Sequence, residues 1–230
     1  MARHLVIFDC DGTLVDSQHL IVAAMEQAFN AANQPSPPRD AILGIVGLSL
    51  PEAIWRLTSG AEEATVLKIS DGYKNAFGEL RKDPNHWEPM YDGAHACVTA
   101  LAADDRFVLG IATGKSQRGV ARVLERFELV GHFETIQTAD DAPSKPHPGM
   151  IERALEETGA EKAHTVMIGD TTFDMEMARN AGVTGIGVSW GYHPHEHLDG
   201  DGVHEIAHDY PQLMLLLQAR LGMQATEQIP

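Results

Sequence analysis

Cysteine, positive charge and long apolar runs are all scarce in this chain, and each scarcity removes a class of function. Only Cys10 and Cys97 occur among 230 residues, far apart and outside any C-x-x-C pair. Neither a disulfide framework nor a cysteine-built zinc site is expected, and a reducing, cytoplasmic location fits. Seventeen Lys and Arg stand against 33 Asp and Glu, a formal net charge of −16, which opposes nonspecific binding to nucleic acid or to anionic membranes. An anionic ligand therefore needs a local positive site. No apolar run approaches the roughly 20 residues of a membrane-crossing helix; even "LMLLL" near the end is far too short. The opening "MARHLVIFD" enters an apolar run within a few residues, so no signal peptide is expected.

What is present reads as an ordinary folded chain, 43% hydrophobic and 22% charged, which argues against disorder. β-rich runs recur at "HLVIF", "FVLGIAT", "FETIQT", "HTVMIGD" and "GVTGIGV", separated by helical stretches. That alternation predicts an α/β fold: a Rossmann-like parallel sheet with helices on both faces. One crossover is far too long. Residues 16–87 carry the helix-like stretches "QHLIVAAMEQAFNAA", "LPEAIWRLTS" and "EEATVLKISDGYKNAFGELRK", and read as an inserted α-helical cap domain, with residues 1–15 and 88–230 forming the core. Asp16 and Ser17 are good helix N-cap types, "QPSPPRD" breaks the first helix and "KDPNHWEP" closes the insert.

The segment "VIFDCDGTLVDS" poses a problem, because an apolar strand ends in two aspartates one residue apart. On an extended strand Asp9 and Asp11 point to one side while Cys10 points away and packs as a small core residue. A raised pKa, a salt bridge or a bound cation must reconcile the two charges. Further polar groups stand at other strand ends: Thr113 after "FVLGIA", Asp170 after "TVMIG", Asp174 four residues later, and Lys145 in "SKPHPGM". Ligands of open parallel sheets bind at such carboxyl ends, so four carboxylates, a lysine and a threonine can converge.

In that order and placement, "DCDGTLVDS", "IATGK", "SKPHP" and "IGDTTFD" resemble the four signature motifs of the haloacid dehalogenase-like hydrolases, over essentially the whole chain. The resemblance implies that Asp9 is the nucleophile that takes the phosphoryl group and that Asp11 is the general acid and base. It implies that Thr113 and Lys145 bind the phosphoryl group, and that Mg²⁺ sits on Asp9, Asp170 and the Asp11 backbone carbonyl. Asp174 could bind metal, orient Lys145 or a metal-bound water, or cap a helix; the role behind the metal ligands is favoured. Close relatives often carry Asn after the Thr, where this chain has Gly114, whose N–H is still expected to bind phosphate.

The second aspartate separates related chemistries. Dehalogenases of the superfamily lack it, and the D-K-T-G of membrane ATPases is absent. Sugar-phosphate mutases usually carry a cap arginine about where Leu50 stands. "DGTLVDS", "KPHP" and "GVSWGY" most resemble the phosphoglycolate phosphatase-like subgroup. The expected activity is a magnesium-dependent phosphatase acting on a small phosphorylated metabolite, without nucleic acid or membrane partners. A mutase, a pyrophosphatase or a noncatalytic binding protein is the alternative, and monomer and homodimer are equally open. Cap residues Gly47 to Leu50 are candidates for leaving-group recognition, whereas Lys74 reads as solvated surface first. Ser189 in "GVSWG" matches a serine-hydrolase elbow, but too little chain follows for its triad. The histidines of "YHPHEH" have a metal-like spacing yet read better as a solvated loop.

Overall fold

The computed structural model describes residues 3–83, 87–198 and 203–220. Six strands, β1 (His4–Phe8), β2 (Phe107–Thr113), β3 (Thr135–Thr138), β4 (Thr165–Gly169), β5 (Thr184–Val188) and β6 (Val203–Ala207), form one sheet in the order β3-β2-β1-β4-β5-β6. Every pairing is parallel. Strand β1 is central, and the chain reverses direction across it, with β2 on one side and β4 on the other. That is a topological switch point.

Both faces of the sheet are covered, which explains the near-continuous apolar strands. Val6, Phe8, Leu109, Ile111, Val166 and Ile168 pack with residues of α5 (Ala94–Ala102), α6 (Gln117–Arg126) and α10 (Tyr210–Arg220). Leu5, Ile7, Val108 and Met167, one step out of phase, pack against α7 (Gly149–Thr158) and α8 (Thr172–Ala181). A last short helix, α9 (His195–Leu198), covers β5 and β6.

Between β1 and α5 lie the helices of the insert: α1 (Gln18–Ala31), α2 (Arg39–Leu43), α3 (Leu50–Leu57) and α4 (Glu63–Leu80). Their own core contains Met25, Phe29, Ile42, Ile54, Val66 and Ile69, and each such side chain is worth about 1.5–3 kcal/mol when fully buried. The two crossings between insert and core run side by side. Asp16 N–H donates to Pro89 O at 2.8 Å and Tyr91 N–H to Leu14 O at 3.1 Å, and Val15 bridges Met90 antiparallel.

Three sequence expectations change. The prolines of "QPSPPRD" do not only end a helix, because Pro38 stands at the N-cap of α2, where its fixed φ suits a helix start. Ser17 does stand at the N-cap of α1, but its side chain makes no capping bond and turns instead to Asp11. Strand β6 went unread because "VHEIA" mixes polar and apolar residues, as an edge strand can. In the closing segment "KDPNHWEP", residues 84–86 lie outside the described residues. Among the described residues no helix is long and apolar enough to cross a membrane.

Candidate active site

The site starts one residue past the central strand. Asp9 N–H donates to Ile168 O at 2.9 Å, which fixes the residue between β1 and β4. Its Oδ1 accepts from Cys10 N–H at 2.7 Å and faces Lys145 Nζ at 3.0 Å. Lys145 is fully buried and also donates to Asp174 Oδ1 at 2.6 Å. Asp174 in turn caps α8: Thr171 N–H and Oγ1 donate to its Oδ2 at 3.1 and 2.6 Å, and its own N–H donates back to Thr171 Oγ1 at 3.3 Å. So Asp174 both hydrogen-bonds Lys145 and caps a helix.

Asp170 follows β4 and accepts from Thr13 Oγ1 at 2.9 Å and from Tyr192 N–H at 2.8 Å. Gly12, with φ of +87°, brings the backbone against this carboxylate; a Cβ there would overlap it. Thr113, at the end of β2, is buried beside Asp9, and Lys115 N–H donates to its Oγ1 at 3.2 Å.

Asp9, Asp170 and Asp174 each offer an oxygen within 4.8 Å of the others, the single group among the described residues with the geometry to hold a metal ion. Burial pushes Asp9 up to about 7 against the pull of Lys145, and Asp174 adds repulsion. Burial, then the negative fields of Asp9 and Asp174, raise Asp170 well above the usual carboxylate range. Burial works against the Lys145 ammonium, yet Asp174 and Asp9 overcome it and hold its pKa above the ordinary value. Three buried carboxylates gather where one lysine pairs with two of them, Asp9 and Asp174, and Asp9 Oδ2 is buried with no hydrogen-bond partner. Such an excess of buried negative charge fits a hard divalent cation.

Asp11 behaves differently from its neighbour. Strand β1 ends at Phe8, so strand alternation no longer governs its direction, and its side chain is absent from the carboxylate cluster. It accepts from Lys115 Nζ at 2.7 Å and from Ser17 Oγ at 2.5 Å. Lys115 reaches Glu88 Oε1 as well, at 3.4 Å, and Tyr192 Oη accepts from Ser17 N–H at 2.9 Å. Burial opposes the Lys115 charge, but Asp11 and Glu88 outweigh it and raise its pKa. The opening puzzle thus has two answers, one lysine for each aspartate. Three carboxylates converge rather than four. Lys115 was in view within "IATGK", two residues after Thr113; its acidic partners at positions 11 and 88 are remote in sequence and gave no signal.

A cavity of about 320 Å³ opens above Asp9, Asp11, Thr113 and Gly114, roofed by Gly47 to Leu50 and by Lys74 of the insert. At Gly114 insert and core approach closely, since a Cβ there would run into the carbonyl oxygens of Gly47 and Leu48. Ser49 N–H also donates to Ser144 Oγ at 2.8 Å. Lys74 lines the cavity, remains largely exposed and lies 3.7 Å from Asp71.

A family model described as haloacid dehalogenase-like hydrolase matches residues 6–188. The chain belongs to that family. The hydrolase is 36% identical over 201 residues to the "Probable phosphatase IndB" of Dickeya dadantii (strain 3937), covering 85% of each chain. It is 27% identical to the pyrophosphatase PpaX of Bacillus mycoides (strain KBAB4), covering 83% of this chain and 85% of that one. The crystal structure of a predicted phosphatase from Clostridium acetobutylicum superposes with a TM-score of 0.84 at 25% identity, covering 95% of the hydrolase and 100% of that chain. The hydrolase is thus an enzyme of the phosphatase type.

The remaining motifs of the hydrolase fall outside this chemistry. Ser189 begins a turn rather than a helix and its Oγ lies 2.9 Å from His208 Nδ1. The three histidines do not converge. His193 is half-buried against Phe173 rather than solvated, its Nδ1 accepts from Thr172 N–H at 3.3 Å, and burial lowers its pKa. His195 and His197 are exposed on α9. Cys10 packs in the core as expected, and Cys97 is buried and free.

Proposed function

We propose that the hydrolase is a magnesium-dependent phosphatase that cleaves a small phosphate monoester through an aspartyl-phosphate, with 2-phosphoglycolate the leading single substrate. One observation carries the reading: Asp9 has one carboxylate oxygen fixed by Cys10 N–H and Lys145 and the other without a partner, beside the cavity. An ionised, held carboxylate with a free oxygen is what nucleophilic attack requires.

In the first half-reaction the free Asp9 oxygen attacks phosphorus in line. The new Asp9 O–P bond forms as the ester P–O bond breaks, and the Asp11 carboxyl gives its proton to the leaving alkoxide. In the second, Asp11 takes a proton from a water that attacks phosphorus, the Asp9 O–P bond breaks, and free phosphate leaves. Lys145 and Thr113 Oγ1 hold the phosphoryl oxygens, aided by the N–H of Gly114. Asp9, Asp170 and the Asp11 backbone carbonyl would hold magnesium, which when bound would supply positive charge against those oxygens. Asp174 orients Lys145 from behind.

We assign residues 16–87 to a cap over the core of residues 1–15 and 88–230, which excludes water and limits the substrate to a small phosphorylated metabolite. A cytoplasmic location belongs to this reading. The pyrophosphatase relative favours pyrophosphate as the second candidate. Steady-state assays with magnesium on phosphoglycolate, pyrophosphate, hexose phosphates and nucleoside monophosphates test the substrate; higher kcat/KM on another compound rejects phosphoglycolate. Borohydride reduction during turnover tests the intermediate. It is expected to convert Asp9 to homoserine in the wild type, while Asp9→Asn is inert and folded; turnover by Asp9→Asn overturns the mechanism.

A further inference from the structure

The phosphoryl site accounts for the floor of the cavity but not for the cations at its mouth. Arg81, at the C-cap of α4, lines the cavity from the insert, and Arg118 and Arg122, on α6, line it from the core. Residues four apart on a helix share a face, so Arg118 and Arg122 present two guanidiniums from adjacent turns. Both helices bring their cations to one cleft.

Acidic residues outnumber basic ones by 33 to 17 in this chain, and Arg3, Arg56, Arg106 and Arg220 each sit beside a carboxylate. Among the described residues none of Arg81, Arg118 and Arg122 makes an ion pair. They repel one another instead: Arg81 first, then partial burial and Arg118, lower the pKa of Arg122, and Glu125 only partly offsets this. Asp140, also on the cavity wall, is occupied by Gln117 N–H at 2.9 Å. Three like charges facing one opening cost stability unless an anion joins them.

We propose that Arg81, Arg118 and Arg122 form a second anion subsite, so that the favoured substrate is a phosphate monoester whose leaving group carries its own phosphate or carboxylate. This deepens, and rests on, the phosphatase reading above. Three guanidiniums suit a dianionic phosphate best, because each presents a planar fork of donors. The charge that the sequence lacks at Leu50 is supplied from other elements. An anion held there also ties the insert to the core, because its ligands come from both.

The test compares matched leaving groups on the full chain with magnesium: alkane-1,ω-diol bisphosphates of two to five carbons against their monophosphates, and phosphoglycolate against 2-hydroxyethyl phosphate. The wild type is expected to prefer an anionic leaving group in kcat/KM, chiefly through KM. Arg81→Ala and Arg122→Ala are each expected to cut that preference about tenfold, and Arg122→Lys to restore part of it. Lys68→Ala removes the same charge from an exposed site outside the cavity and leaves the preference intact. Calorimetric binding of the same pairs to Asp9→Asn reads the subsite without turnover. If no ester is hydrolysed but bisphosphates bind through the arginines, the phosphatase reading fails and the subsite stands. If monoesters are hydrolysed with no anionic preference in rate or binding, or with a preference the arginine variants do not move, the subsite is overturned and the phosphatase reading stands.

Discussion

The floor and the mouth of one cavity solve the problem of buried charge in opposite ways. On the floor, Lys145 is shared by Asp9 and Asp174, Asp174 is locked by Thr171, and Asp170 by Thr13 and Tyr192. Nearly every donor and acceptor there has a partner before any ligand arrives. At the mouth, Lys74, Arg81, Arg118 and Arg122 are at least partly exposed, and among the described residues the three arginines make no ion pair. The floor is organised in advance, as a group that stabilises developing charge must be. The mouth is left for the ligand to complete, which suits selection rather than bond-breaking.

The largest effect is expected from breaking the floor. Lys145→Ala leaves Asp9 and Asp174 buried around an absent cation, which costs about 3–5 kcal/mol of stability, read as a lowered urea midpoint together with weakened phosphate binding. A variant as stable as the wild type means that the floor is not held by this pair. Lys115→Met sharpens the comparison, because it frees Asp11 while keeping the main-chain N–H of position 115 that holds Thr113. It is expected to slow alkyl phosphates about a hundredfold, the low end for general acid–base catalysis, and p-nitrophenyl phosphate much less, since that leaving group needs little protonation. Equal losses on both would reduce Lys115 to a structural cation. The smallest effect belongs to the seam between floor and mouth. Gly114→Asn pushes a side chain against the carbonyls of Gly47 and Leu48, at a cost of about 1–3 kcal/mol. A lower melting temperature and a raised KM are expected; an unchanged melt would mean that the insert moves aside freely.

The same contrast separates what could be read in advance from what could not. Asp9 and Asp170 each stand one residue past a strand, which places them at one edge of the sheet, whereas Lys145 in a loop and Asp174 in α8 were legible through the motif resemblance. Lys115 lay inside a motif already singled out, but its meaning depends on Glu88, which arrives only after the chain has passed through the whole insert. Arg81, Arg118 and Arg122 were invisible as a group, because helical periodicity says which residues share a face and not which face meets the other element. Helix α2 and strand β6 were missed for local reasons, a proline taken as a stop and an edge strand with mixed polarity.

The paired crossings between insert and core also set how the two can move. Leu14 to Asp16 and Pro89 to Tyr91 are laced together by main-chain hydrogen bonds, so the insert hangs on a short two-stranded ribbon rather than on two independent tethers. Such a ribbon flexes across its flat face far more easily than it shears along its length, because shearing breaks the hydrogen bonds that pair it. Any motion of the insert is therefore expected to be that of a door on a hinge and not of a ball on a string. A hinge of that kind would keep Arg81 on the same side of Arg118 and Arg122.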